Sequence, residues 1–92
     1  MIPPARAAHS SVVYGDKLIV FAGKDESNEK LNDLWAFDLK TRTWEMYQSH
    51  NSEGDVLPRS GHSASLYGHF MIIFGGILDV CKELDDMLVY NI

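Results

Sequence analysis

Two stretches of this chain match each other without a gap at a spacing of 53 residues. Arg6, His9, Ser10, Tyr14, Gly15, Ile19, Phe21, Gly23, Leu31 and Asp33 recur as Arg59, His62, Ser63, Tyr67, Gly68, Ile72, Phe74, Gly76, Leu84 and Asp86. These are ten identities over the 35 aligned positions that run from Ala5–Leu39 to Pro58–Ile92. Other pairs are conservative, among them Val13/Leu66, Leu18/Met71, Val20/Ile73, Leu34/Met87, Phe37/Tyr90 and Leu39/Ile92. A repeat of this kind is one supersecondary unit that buries its apolar faces only against its neighbours, and a period of about 50 residues in a strand-rich chain predicts a propeller blade. The second copy stops partway, so one blade and most of another are expected.

Each copy reads as short strands separated by turns. His9–Tyr14 is β-rich and runs into Gly15-Asp16, a two-residue hairpin signal. Leu18–Phe21 follows as an unbroken apolar run, which predicts a strand buried on both faces. Lys24–Asn32 is polar and aperiodic and reads as an exposed loop. Asp33–Leu39 alternates in part, Lys40-Thr41-Arg42 makes a turn, and Thr43–Tyr47 is a fourth strand carrying Trp44. With the strands lettered a to d, residues 5–47 form a first blade and residues 48–57 connect it to the next. Residues 58–92 supply a (His62–Tyr67), b (Met71–Gly75) and c (Asp86–Ile92) of a second blade whose strand d is missing. No long apolar stripe of helical period competes with this all-β reading.

At this point the residues resemble a known family. Pro58-Arg59-Ser60-Gly61-His62-Ser63, then Tyr67-Gly68, then Ile73-Phe74-Gly75-Gly76, is similar to the kelch repeat. So is Asn32-Asp33-Leu34-Trp35 followed by Phe37-Asp38 and Trp44. The long period and the Arg-x-x-His opening resemble the kelch proteins of the host-cell-factor and leucine-zipper-like type more than the BTB-kelch adaptors. Two positions depart from the pattern: Ala22-Gly23 stands where Gly-Gly is usual, and Leu88 stands where the first copy has Trp35. The resemblance implies a kelch β-propeller fragment. Val20, Phe21, Ile73 and Phe74 are expected in the blade faces, and Trp44 in the blade-to-blade core. Gly23, Gly75 and Gly76 are expected to allow close backbone approach or positive φ at the end of strand b.

Arg6/Arg59, His9/His62 and Asp33/Asp86 invite a catalytic reading, but their recurrence argues otherwise. An active site needs one constellation, whereas a residue repeated in each blade serves the blade. Strand a begins at the end of the blade where strand c begins. Arg6 is therefore expected to pair with Asp33, and Arg59 with Asp86, within one blade or with the neighbouring blade's equivalent, in bidentate geometry that ties the d–a and b–c loops together. Gly15, Gly68, Trp35 and Trp44 belong to the same structural set. The non-repeated residues are the candidates for function. Lys24, Asp25, Glu26, Glu29 and Lys30 on one b–c loop, and Ile77, Leu78, Asp79 and Val80 on the other, are the candidate partner contacts. For Ile77, Leu78 and Val80 the alternative is burial against a next blade or in a central channel.

Charge and composition narrow the partners. A formal charge of −5 opposes binding to nucleic acid or to an anionic membrane surface. No apolar run reaches the ~18–20 residues of a membrane span. Cys81 is the single cysteine, so an internal disulfide is impossible and a reducing compartment, cytoplasm or nucleus, is expected. His9, His50, His62, His69 and Cys81 match no zinc-ligand spacing, so neither metal nor cofactor is expected. Asp25-Glu26 and Glu53-x-Asp55 read as solvated acidic pairs. The expected function is a non-catalytic scaffold that binds a partner protein through its b–c and d–a loops. The alternative is a pair of blades from a propeller enzyme whose catalytic residues lie in other blades, as in the copper-radical oxidases. By itself the chain is expected to be part of a larger propeller or to oligomerise, since two blades leave apolar faces and a strand edge uncovered.

Overall fold

In a computed structural model that describes residues 2–48, 56–79 and 82–92, the described residues form two antiparallel sheets. The first has four strands in sequence order: β1 (Ser10–Tyr14), β2 (Lys17–Lys24), β3 (Lys30–Asp38) and β4 (Thr43–Gln48). The second has three: β5 (Ser63–Tyr67), β6 (Phe70–Asp79) and β7 (Lys82–Asn91). Tyr14 pairs with Lys17 and Tyr67 with Phe70, so Gly15-Asp16 and Gly68-His69 are two-residue hairpin loops. Each starts on a glycine with φ near +60°, which a turn with its first central residue on the left-handed side requires.

Strands β2 and β3 run further than their apolar residues. The loop expected over Lys24–Asn32 shrinks to residues 25–29, because Lys24 pairs with Ala7 and Lys30 with Lys24. In the second sheet the residues expected on the other b–c loop are largely strand: Ile77 pairs with Glu83 and Asp79 with Lys82. Backbone pairing at a sheet end needs no buried side chain, so hydropathy gave no sign of it.

A bulge interrupts both second strands at equivalent places. The register of β2 on β3 shifts between Phe21 and Gly23, and that of β6 on β7 between Phe74 and Gly76. The residues passed over, Ala22 and Gly75, have φ of +58° and +70°. The next residue, Gly23 or Gly76, lies against the chain entering strand a. A Cβ on Gly23 would stand 2.7 Å from the Ala7 carbonyl oxygen and 2.9 Å from the His9 Cβ. Gly76 meets Ser60 and His62 in the same way.

The two sheets stack face to face. Ile19, Phe21, Ala22, Leu34 and Ala36 of the first sheet form one buried cluster with Met71 and Ile73 of the second. Val12, Tyr47, Val56, Ala64, Leu88, Tyr90 and Ile92 close its margins. The opposite face of the first sheet carries Leu18, Val20, Trp35, Phe37 and Trp44. There Trp44 packs on Phe37 (4.9 Å between ring centroids) and edge-on to Trp35 (6.4 Å). Trp44, expected in the blade-to-blade core, instead fills its own blade's far face and does not enter the core between these two blades. A parity of two along β3 sends Trp35 and Phe37 away from Leu34 and Ala36.

Of Leu18–Phe21, expected to be buried on both faces, Ile19, Val20 and Phe21 are buried and Leu18 is half-buried; of Ile73 and Phe74, expected in the blade faces, only Ile73 is buried. Met71 and Ile73 are buried, whereas Phe74 is 51% exposed. Phe21 is covered by the second sheet; its counterpart Phe74 has no sheet over it among the described residues.

Candidate partner-binding rim

The rim is organised by two Arg–Asp pairs of matching geometry. Arg6 Nη1 and Nη2 donate to the two carboxylate oxygens of Asp33 at 2.7 and 2.8 Å. Arg59 does the same to Asp86 at 2.5 and 2.8 Å. Each arginine spends its remaining donors on backbone. Nη1 reaches the carbonyl of the bulge residue, Ala22 or Gly75, at 3.0 Å in both cases. Nε reaches the carbonyl two residues back, Pro4 at 3.2 Å or Leu57 at 3.1 Å. One guanidinium thus fastens the chain entering strand a, the bulge in strand b and the head of strand c.

The pairs differ in environment. Asp33 also accepts a 2.7 Å bond from Trp35 Nε1, and its side chain is 2% exposed. Leu88 replaces Trp35 in the second blade, and Asp86 is 35% exposed although Arg59 is wholly buried. Burial pushes the Asp33 carboxyl up, but the bonds from Arg6 and Trp35 outweigh it and hold the group below the ordinary carboxylate range. The Arg59 bonds hold Asp86 down.

The same rim stitches the blades together. The Gly23 amide donates to the Arg59 carbonyl, the Arg59 amide to the Leu31 carbonyl and the Gly61 amide to the Ala8 carbonyl, each at 2.9 Å. Asn32 Nδ2 donates to the Val56 carbonyl at 2.8 Å. His62 Nε2 lies 2.7 Å from Ser10 Oγ, and its ring stands edge-on to Phe21. Burial, with the nearby Arg59 charge, lowers the His62 pKa to about 4. His9, its counterpart, is exposed.

Of the candidate contacts, Glu26 and Glu29 are exposed, and Lys24, Asp25 and Lys30 are half-buried. Asp25 Oδ1 accepts from the amides of Ser27 (2.9 Å) and Glu29 (3.0 Å), so this carboxylate holds its own loop in shape. The structure brings this loop beside the second one. Ser27, Asn28, Glu29, Lys30, Pro58, Leu78 and Asp79 line a cleft of about 470 Å³ between the blades. Ile77 and Asp79 are exposed and Leu78 half-buried. Val80 lies outside the described residues, as do His50, Glu53, Asp55 and Cys81. A second cleft, of about 510 Å³, is lined by Leu57 and residues 82–86. Lys82, Glu83 and Asp85 were not singled out from the sequence, because that stretch falls where a bare loop was expected. Around the rim Asp25, Glu26, Glu29, Asp79, Glu83 and Asp85 outnumber Lys24, Lys30 and Lys82. Among the described residues no group of three or more His, Cys, Asp or Glu is placed to hold a metal ion. No described helix is long and apolar enough to cross a membrane.

Two antiparallel blades, an Arg–Asp clasp in each and a bulge that feeds it define a repeat of the propeller class. The KLHDC2/KLHL20/DRC7 Kelch-repeats domain matches residues 1–92. This chain belongs to the kelch-repeat family. It is 37% identical over 95 residues to human host cell factor 1, covering 97% of this chain and 4% of that protein. It is 35% identical over 92 residues to the Rho GTPase-activating protein gacHH of Dictyostelium discoideum, covering 98% of this chain and 6% of that protein. It is 32% identical over 97 residues to protein ral2 of Schizosaccharomyces pombe, covering 99% of this chain and 16% of that protein. The chain therefore spans a small part of the length of these relatives.

Proposed function

We propose that this chain is a non-catalytic interaction module, part of a kelch propeller that binds a partner polypeptide on the rim formed by its b–c and d–a loops. Residues 5–47 act as one blade, 48–57 as the connector and 58–92 as three strands of the next. The observation that carries this reading is the cleft between the blades, lined by Glu29 of the β2–β3 loop, Lys30 at the head of β3, and Leu78 and Asp79 at the end of β6. Function on propellers of this kind sits in loops that a rigid scaffold positions. Kelch repeats typically serve as protein-interaction scaffolds, and family membership supports the same role here. The excess of carboxylates on the rim favours a partner segment that carries lysine or arginine, since complementary charge steers encounter and selects partners. The single-cysteine composition supports a reducing compartment, cytoplasm or nucleus.

The test is affinity capture with the intact parent protein in three forms: unchanged, with Glu26, Glu29 and Asp79 each changed to Lys, and with Asp16 changed to Lys on the opposite rim. Partners that the unchanged and Asp16→Lys proteins retain, and that the rim variant loses, support the reading. Partners lost with Asp16→Lys and kept by the rim variant would refute it.

A further inference from the structure

The cleft between the blades is built from parts that the backbone fixes to one another. One wall is the β2–β3 loop with the head of β3, and the other is the end of β6. Pro58 lies between them, and the two residues after it are stitched to both walls. The Arg59 amide donates to the Leu31 carbonyl of β3 at 2.9 Å. The Ser60 amide donates to the Ile77 carbonyl of β6 at 3.1 Å, and the Ile77 amide returns a bond to the Ser60 carbonyl at 2.8 Å. All the lining residues fall within 27–79, so neither end of the chain takes part in the cleft.

Its chemistry is ordered. Pro58 and Leu78 offer half-buried apolar surface. Glu29 and Asp79, one on each wall, are exposed carboxylates. Lys30 is the one cation among the lining residues, and it is half-buried. Carboxylates thus outnumber cations in the cleft as they do around the rim. The volume of about 470 Å³ falls within the ~300–1,000 Å³ of sites that enclose a compact ligand, which suits a few side chains of an extended segment.

We infer that this cleft takes a short extended segment of a partner polypeptide in which an apolar residue has lysine or arginine within two positions on each side. The inference rests on the rim reading above and adds to it the pattern that the partner carries. The apolar side chain seats on Pro58 and Leu78 and withdraws their surface from water. The flanking cations reach Glu29 on one wall and Asp79 on the other. Their long aliphatic stems cover the walls while the charged heads turn up to the rim. An acidic segment would meet two carboxylates for one ammonium, and like charges brought together oppose binding. A basic segment without the apolar anchor would gain only exposed ion pairs, which contribute little by themselves.

Selection of random short peptides displayed on phage, panned against the intact protein, tests the pattern. The enriched peptides are expected to carry an apolar residue flanked by lysine or arginine. A synthetic copy of the most enriched peptide is then titrated by fluorescence anisotropy. Glu29→Lys is expected to raise its Kd about fivefold at low salt, the upper end for an exposed ion pair, with the gap closing as salt is added. Leu78→Ser is expected to raise it about tenfold, as for uncovering most of a leucine side chain. Asp16→Lys, on the opposite rim, is expected to leave it unchanged. Should Leu78→Ser lack a cooperative melt, Glu29→Lys decides alone, since that side chain is exposed. Enriched peptides that are acidic or lack basic residues, yet weaken with the cleft variants, overturn this pattern and leave the rim reading standing. Peptides that neither cleft variant weakens, or that Asp16→Lys alone weakens, overturn both. A selection that enriches nothing above the bare support overturns the pattern as well.

Discussion

Replacing each clasp arginine by methionine separates the worth of the ion pair from that of packing. Methionine keeps most of the aliphatic stem, so the loss is concentrated in the charge and its hydrogen bonds. Arg6→Met strands Asp33 with its side chain 2% exposed and both guanidinium bonds gone, though the Trp35 bond remains. Removing one member of a buried pair in this way costs about 3–5 kcal/mol. Arg59→Met strands Asp86, which at 35% exposure recovers water. The loss there is expected nearer the ~1.5–3 kcal/mol of hydrogen bonds to a charged group. Urea denaturation at one fixed protein concentration measures both, since concentration matters wherever association contributes.

The dependence on pH gives a second readout. Asp33 has a folded pKa below its ordinary value, so the pair's contribution is present above the unfolded pKa and is lost as pH falls through the folded one. In Arg6→Met the carboxyl loses the partner that lowers it, and protonation relieves the buried charge. The gap between the unchanged chain and Arg6→Met should therefore narrow from neutral pH to about pH 4. Equal losses for the two substitutions, or a gap for Arg6→Met that does not change with pH, would refute the claim that exposure of the carboxylate sets the cost.

The remaining predictions concern the bulge and the blade interface. Gly23→Ala is expected to cost roughly 2–5 kcal/mol, combining a left-handed backbone with overlap onto the Ala7 carbonyl, as thermal or urea melts would register. Ala22→Gly should instead leave stability equal or raise it by up to about 1 kcal/mol, because Ala22 holds φ +58° where the second blade has Gly75; a clear loss would count against strain at this bulge. His62 has a folded pKa lowered to about 4 from 6.5, so its contribution is complete above 6.5 and falls away as pH drops toward about 4. His62→Gln should flatten the stability profile across that window, and an unaltered profile would show that protonation of His62 is not coupled to folding.

Much of the fold was legible in the residues alone, and for identifiable reasons. Gly15-Asp16 and Gly68-His69 between β-rich runs marked both hairpins, because a two-residue loop needs a residue that tolerates positive φ. Arg6 with Asp33 and Arg59 with Asp86 could be paired from their joint recurrence, since strand order places both at one end of a blade. The exposed acidic character of the b–c loop was equally plain at Glu26 and Glu29. Residues 82–85 were missed because strands β6 and β7 continue there on backbone pairing alone, which leaves no pattern in hydropathy.

Other properties were decided only in three dimensions. Leu18–Phe21 is apolar at every position, so parity could not say which residues meet the next blade; stacking places Ile19 and Phe21 there and turns Leu18 and Val20 away. The departure at Leu88 looked like a neutral exchange for Trp35. In the folded molecule it removes the indole donor from the carboxylate, and with it part of the shielding that makes Asp33 buried and leaves Asp86 open. The repeat determined by itself that two like units exist and that each needs a neighbour, because identical spacing of glycines, Arg and Asp reproduces one local geometry. That Ile19, Phe21 and Ala36 of one unit meet Met71 and Ile73 of the other was set by the tertiary contacts: face choice depends on which surfaces meet, and sequence period is the same for both faces of a strand.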